Sequence, residues 1–326
     1  MNSPLREIRL WVDGVPRSAW LKLESSNPTG SSKDRTAEGL IADLLAQDRR
    51  PREPTVVEST SGNLGIALAR VTAREGLNFV AVVDPRTTGQ VLSTLQSYRA
   101  EVKMVKNADS FGSFLPARLA LAEELARVNP RAVWVNQYVN PANPLAHYWG
   151  TGQEILSQTN GVIDALYAPV STGGTLAGAA RAIRERRPSV RIVAVDARGS
   201  VALGGTPGPR LLTGIGSSRP SSHLGRQDVD EVYRVRDEDA FAYCRALKAA
   251  TGLILGGSTG AVLAACASDL AMHPDLKCPV CICADSGDRY AETIYDDQWL
   301  AAQGIDLPSL ARVGFKTDSA LPRNGE

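Results

Sequence analysis

Lys33 lies in "NPTGSSKDR" (27–35), a Gly/Ser-rich loop with no carboxylate before the lysine. An isolated loop lysine is ordinarily solvated and inert. It becomes a covalent catalyst when desolvation or a cationic neighbour lowers its pKa, and carbonyl compounds are its usual partners. Three further stretches could serve such chemistry. "ESTSGNLG" (58–65) sets Thr60, Ser61, Gly62 and Asn63 at an expected helix start, where free amides bind a carboxylate or a phosphate. One residue suffices for a plain cap, so this many donors exceeds the structural need. "VSTGGTLAG" (170–178) offers Gly173 and Gly174 for close backbone approach to an anion, with hydroxyls on Ser171, Thr172 and Thr175. It fits neither G-x-G-x-x-G nor the P-loop, which argues for a phosphate cradle of another sort. "GGSTGAVLAA" (256–265) presents Ser258 either as a helix cap or as a partner for a ligand heteroatom.

The four stretches make a coherent set. A carbonyl-bearing phosphorylated cofactor needs a lysine for its Schiff base, a Gly/Thr loop for its phosphate and a partner for its ring nitrogen. An amino-acid substrate needs a carboxylate pocket. Pyridoxal 5'-phosphate is the cofactor that asks for all of these.

These stretches must be held by regular elements, and the hydrophobic pattern supplies them. Apolar β-branched runs at 55–60, 79–84, 102–105, 132–136, 165–170, 191–197, 231–235 and 280–285 predict strands. Helical patterns such as 63–76 and 239–252 lie between them, predicting parallel sheets covered on both faces. "IRLWVDG" (8–14) and "AWLKLES" (19–25) predict a hairpin at a sheet edge. Ligands of open α/β sheets bind at the carboxyl ends of strands, which is where the Gly/Ser/Thr-rich stretches fall.

The 326 residues exceed one typical domain, and 43% hydrophobic with 22% charged residues is the composition of a soluble globular protein. A net charge of +1 argues against nucleic-acid binding. With neither a long apolar run nor a secretory signal, the expectation is no membrane and a cytoplasmic location. Cys278 and Cys281 have CxxC spacing, but only three histidines and no second pair are present. Buried strand thiols are expected there, and no metal.

The chain resembles the cysteine synthase/cystathionine β-synthase family of fold-type II pyridoxal-phosphate enzymes over roughly residues 5–305. "NPTGSSKDR", "TSGNLG" (60–65), "NQYVNPANP" (136–144), "STGGT" (171–175), "TGIGSS" (213–218) and "GGSTGA" are similar to that family's loops and follow its order. The resemblance implies two doubly wound open-sheet domains of the tryptophan synthase β type. A smaller mobile domain is expected at 28–135, a larger cofactor-binding one at 1–27 with 136–310, and a mobile tail at 311–326. It implies Lys33 as the Schiff-base lysine and acid–base catalyst, and Asn63 on the cofactor's phenolic oxygen. The 171–175 loop would hold the phosphate and Ser258 would face the ring nitrogen. Thr60, Ser61, Gly62 and Gln137 would take the substrate carboxylate, with Gly214 near the substrate. A homodimer acting on small amino-acid substrates is implied as well.

A neutral serine at the ring nitrogen implies a weak electron sink, and hence β-elimination and β-replacement through an α-aminoacrylate. Ser171 stands where cysteine synthases have glycine, and Tyr138 where they usually have phenylalanine; Arg118 lies on an expected helix and Arg219 follows the G-I-G turn. Ordinary structural readings exist for each. Collectively they resemble a branch that takes O-phospho-L-serine, expels phosphate and adds the amine of L-glutamate, towards 2,3-diaminopropionate for siderophores. Two anionic substrates would use these extra donors. Cysteine synthesis from O-acetylserine or O-phosphoserine and sulfide, a serine/threonine dehydratase, and a non-catalytic α/β scaffold are the alternatives.

Overall fold

The computed structural model describes residues 1–110, 112–310 and 313–316. The chain opens with β1 (Leu5–Val12) and β2 (Val15–Leu23), antiparallel and joined at Asp13-Gly14. Both turn residues have positive φ (52° and 79°), the geometry whose twist matches a two-residue hairpin. Next come α1 (Lys33–Ala46), β3 (Thr55–Ser59), α2 (Asn63–Arg74), β4 (Asn78–Val83), α3 (Gly89–Ser97) and β5 (Glu101–Met104). Then follow α4 (Leu115–Val128), β6 (Ala132–Trp134), α5 (Ala142–His147), α6 (Gln153–Gln158), β7 (Ala165–Pro169) and α7 (Gly174–Arg186). The remainder is β8 (Arg191–Ala197), β9 (Glu231–Val235), α8 (Asp237–Thr251), α9 (Gly257–Met272), β10 (Pro279–Cys283), α10 (Asp297–Ala302) and β11 (Val313–Lys316).

Two sheets result. One is parallel, in the order β5-β4-β3-β6; the other is mixed, in the order β11-β1-β2-β10-β7-β8-β9. In the larger sheet β2, β10, β7, β8 and β9 run parallel, while β1 is antiparallel to both its neighbours. Alternation along β7 shows why both faces are covered: Ala165 and Tyr167 join the core under α8 and α9, Leu166 and Ala168 the core under α7. The smaller sheet shares a core with α1 and α2, through Leu40, Ile41 and Leu44 against Val56, Phe79 and Leu68.

Three expectations differ from what is found. The hairpin is not at a sheet edge, because β11 pairs with β1 and β10 pairs with β2. Residues 313–316 form that covering strand within a stretch expected to be a mobile tail, and Phe315 is buried against Tyr243. Residues 311–312 and 317–326 of that tail lie outside the described residues. β6 stops two residues early because Asn136 takes a left-handed φ of 46° and turns the chain towards Gln137. Cys278, Cys281 and Cys283 are buried free thiols, the last two on β10, as expected of core-strand thiols. Among the described residues no helix is long and apolar enough to cross a membrane.

Candidate active site

Lys33 is the first residue of α1, and its loop is pinned from several sides. Asp34 accepts from the backbone N and the hydroxyl of Thr29, both at 2.9 Å, which closes the Pro-Thr-Gly turn. Arg35 pairs with buried Glu24 (2.8 Å) and with Glu154 (2.7 Å), tying α1 to the larger sheet. The amide of Ser32 donates to the carbonyl of Ala284 (2.7 Å), just beyond the end of β10. Lys33 itself is half-buried, and among the described residues its ammonium makes no ion pair. Burial among these loops holds it down at about 8, with Glu58 pulling the other way. A lysine tied by its backbone, with a lowered pKa and no partner of its own, fits a Schiff-base amine.

The loop 171–175 follows β7 and opens α7. Gly173 has φ +91°, a conformation that disfavours a side chain, and a Cβ there would overlap Ser221 Oγ. A Cβ at Gly174 would overlap the Asn143 side chain. The chain here runs so close to Ser221 and Asn143 that only glycine fits, and the amides that open α7 are of the kind that can take an anion. Behind the loop, Asn143 Nδ2 donates to Thr172 Oγ1 (3.2 Å) and to the Gln137 carbonyl (2.8 Å). His147 lies between Thr175 Oγ1 (3.2 Å) and Thr36 Oγ1 (3.1 Å), so one buried imidazole bridges the loop and the lysine helix. Burial, with Lys33 and Arg35 nearby, holds His147 well below the usual imidazole range, hence neutral. Ser171 is half-buried at the loop's entrance.

On the other wall the loop 60–63 follows β3. Thr60 Oγ1 accepts from the Gly65 amide (2.8 Å) in the first turn of α2, which leaves its own proton free to donate. Gly62 is the N-cap position and has no side chain to offer; Ser61 is half-buried beside it. Gln137 is buried, its Nε2 donating to the Ser59 carbonyl (3.2 Å) and its backbone N to Glu58 (3.1 Å). Glu58 is fully buried, and desolvation pushes its carboxyl up to about 7 against hydrogen bonds from Gln137, Trp134 and Ser59. Arg118 on α4 is turned inward: its side chain is 11% exposed, with Nε 3.1 Å from Asp84. Its charge bears on both Glu58 and Tyr138. Arg219 stacks its guanidinium over the Tyr138 ring at 5.4 Å. Arg118, Tyr138 and Arg219 therefore form one cluster beside Gln137, where sequence alone left each an ordinary structural reading.

Ser258 is buried at the start of α9, and Gly214 faces the Tyr290 hydroxyl. Asn63 on α2 does not stand free: its Nδ2 donates to Asp285 Oδ2 (2.8 Å) and its Oδ1 accepts from Arg289. Asp285 also accepts from the Tyr290 hydroxyl (2.6 Å) and from Ser258 (3.4 Å). Sequence reasoning passed over Asp285, Arg289 and Tyr290, and over Asn143 and His147. A signal for the first set was present: "ADSGDRY" follows the end of a buried strand, where this kind of sheet places its ligand. For Asn143 and His147 the signal was their spacing of four on one helix face.

The family model for pyridoxal-phosphate dependent enzymes matches residues 1–285. The chain belongs to the pyridoxal-phosphate dependent enzyme family. It is 42% identical over 300 residues to an N-(2-amino-2-carboxyethyl)-L-glutamate synthase of Ralstonia nicotianae, covering 92% of this chain and 89% of that protein. It is 41% identical to the Cupriavidus metallidurans protein of the same name, covering 95% and 92%. Among solved structures, an O-acetylserine dependent cystathionine β-synthase of Helicobacter pylori superposes with a TM-score of 0.84 at 29% identity, covering 91% of this chain and 96% of that one. An O-ureido-L-serine synthase superposes at 0.80 with 30% identity, covering 92% and 96%. The fold is thus that of fold-type II pyridoxal-phosphate enzymes, as the loops implied.

Proposed function

We propose that this pyridoxal-phosphate enzyme carries out a β-replacement on an O-activated L-serine, with O-phospho-L-serine as first substrate and the amine of L-glutamate as nucleophile. The observation that carries the reading is the inward-facing cluster of Arg118, Tyr138 and Arg219 beside Gln137. A dianionic leaving group and a dicarboxylate nucleophile each call for such donors, and sulfide calls for none. The names of the two relatives at 41–42% identity support the same reaction.

Pyridoxal phosphate, when bound, supplies the electron sink that makes the Cα proton of an amino acid acidic. The amides of Gly173 and Gly174, with the hydroxyls of Ser171, Thr172 and Thr175, would hold its phosphate, and Lys33 its aldehyde. The chain's own part is proton handling and charge placement. With its pKa held at about 8, Lys33 is a competent base at neutral pH; it takes the Cα proton and later returns it. Thr60, Ser61 and Gln137 fix the substrate carboxylate, and the N-terminus of α2 adds its dipole. The bond from Cβ to the phosphate oxygen breaks, and phosphate leaves with the electron pair. A bond from Cβ to the glutamate nitrogen forms, and that nitrogen loses one proton net. Arg118, Tyr138, Arg219 and Ser171 neutralise the phosphate as it departs and then the glutamate carboxylates. Approach of the smaller sheet to the larger one would exclude water during the exchange.

The test is mass spectrometry of products formed from O-phosphoserine with glutamate, other amines and sulfide. The glutamate adduct is expected; cysteine as the sole product would sink the reading. Cysteine formation from an O-activated serine and sulfide is the second reading, and the O-acetylserine dependent enzyme among the structural neighbours supports it as to the first substrate alone. A homodimer is part of the proposal. Leu145 and Trp149 (70% exposed) are spaced four apart, an apolar patch that a second copy of the chain would cover.

A further inference from the structure

His223 lies on the loop between β8 and β9, where the segment carrying Gln137 meets the loop 171–175. Its backbone is clamped to the start of α7. Ser221 Oγ accepts from the amides of His223 (3.2 Å) and Leu224 (3.1 Å) and donates to the Thr172 carbonyl (2.7 Å). Its ring is held as well: Nε2 is 2.9 Å from the Gln137 carbonyl, which also takes Asn143 Nδ2 at 2.8 Å. A carbonyl only accepts, so Nε2 carries a proton. Nδ1 has no hydrogen-bond partner among the described residues, and the side chain is half-buried rather than sealed. Burial pushes the imidazole below its usual range against the pull of the Gln137 bond, and the Lys33 charge pushes it further down. A neutral ring with its proton on Nε2 keeps a lone pair on Nδ1.

We propose that His223 is a catalytic base whose Nδ1 takes a proton from the ammonium group of the incoming amino acid. This rests on the reading that the nucleophile is an amine. An amino acid arrives at neutral pH with its amine protonated, and an ammonium has no lone pair with which to attack. Lys33 cannot take that proton, since it then holds the one removed from Cα and must return it. The other groups beside Gln137 are no better placed. Arg118 and Arg219 are cations with no acceptor to offer, and burial pushes the Tyr138 hydroxyl up to about 12. Glu58 is fully buried, its oxygens already on the Gln137 and Ser59 amides. Nδ1 of His223 is both open and basic. One ammonium N–H bond breaks as its proton passes to Nδ1, and the freed lone pair forms the bond to Cβ. The Cα–Cβ double bond left by loss of phosphate opens, and its electron pair takes the proton that Lys33 returns to Cα. The imidazolium then gives its proton to solvent. Sulfide brings its own lone pair and needs no such base.

The experiment compares wild-type holoenzyme with His223→Gln, which keeps an N–H for the Gln137 carbonyl but has no basic nitrogen. Rapid mixing with O-phosphoserine alone reads the first equivalent of phosphate released. Turnover is then read with glutamate and with hydroxylamine, an amine already unprotonated at neutral pH. In His223→Gln we expect the phosphate burst to be retained and kcat/KM for glutamate to fall about 100-fold, with that for hydroxylamine changed by less than about threefold. Apart from activity, 15N NMR of histidine-labelled wild-type enzyme should show a neutral ring protonated on Nε2, whose signal is lost in His223→Gln. Undiminished glutamate addition overturns the proposal. So does an equal fall with both amines or a lost phosphate burst, either of which would make His223 a strut for Gln137. A His223 ring found charged, or protonated on Nδ1, overturns it whether or not the variant folds. Wild-type enzyme that forms no amine adduct sinks the underlying reading and this proposal with it, so the two failures are told apart by the wild type alone.

Discussion

The wall of the cleft built on the larger sheet and the wall built on the smaller one hold their polar groups differently. Around the loop 171–175 the hydrogen bonds are spent on the protein itself: Asn143 serves Thr172 and Gln137, and His147 serves Thr175 and Thr36. Glycines there admit helices and loops at distances no side chain would allow, as at Gly174 against Asn143 and Gly178 against Pro144. Around Gln137 the charges are only partly spent. Arg118 Nε is buried near Asp84 without a well-aligned hydrogen bond, Arg219 rests on an aromatic face, and Glu58 is held at about 7. A rigid, satisfied wall suits a cofactor that stays; unspent charge suits anions that come and go.

The sharpest break is Lys33→Ala, which removes both the proposed anchor and the proposed base. Turnover should fall by about three to four orders of magnitude, with loss of visible cofactor absorbance in purified protein. Retained absorbance would mean that another amine holds the cofactor. Next is Arg118→Ala, on the other wall. We expect kcat/KM for glutamate addition to drop about 100-fold, as for loss of a hydrogen bond to a charged group, with cofactor absorbance unchanged. An equal loss with sulfide would make Arg118 a structural residue and dissolve the contrast between the walls.

Gly174→Ala tests the satisfied wall. The added methyl must displace Asn143, so overpacking should cost about 1–3 kcal/mol of stability and weaken cofactor binding, read by thermal melting and by titration of apoenzyme. Glu58 gives a prediction in pH. Its carboxyl is raised from 4.5 to about 7, so the folded chain holds a proton that the unfolded chain releases. The associated stability is present below about 4.5 and is lost as pH rises through about 7, to the extent of about 3 kcal/mol at most. Urea melts of apoenzyme across that window should show the decline, and Glu58→Gln should flatten it. The smallest effect on chemistry is expected from Trp149→Glu, which should shift sedimentation towards monomer while leaving the cofactor spectrum as it was.

The sequence determined by itself those features that depend on few residues in a row. Strand and helix periods, the Asp-Gly hairpin turn and the Gly/Ser/Thr loops are local, because backbone φ, helix caps and free amides are set by immediate neighbours. That is why Lys33 and the loops at 60–63 and 171–175 stood out as candidates before any fold was known. The tertiary structure decided what depends on burial and on distant partners. Only packing turns Arg118 inward to Asp84, stacks Arg219 on Tyr138, and lowers Lys33 without a carboxylate to hold it. Only the meeting of β10 with the lysine loop and α9 sets Asp285 beside Ser258, 27 residues away in sequence, and beside Asn63, 222 away. Desolvation and charge pairing arise between segments that the chain order keeps apart, so they are properties of the fold rather than of any stretch within it.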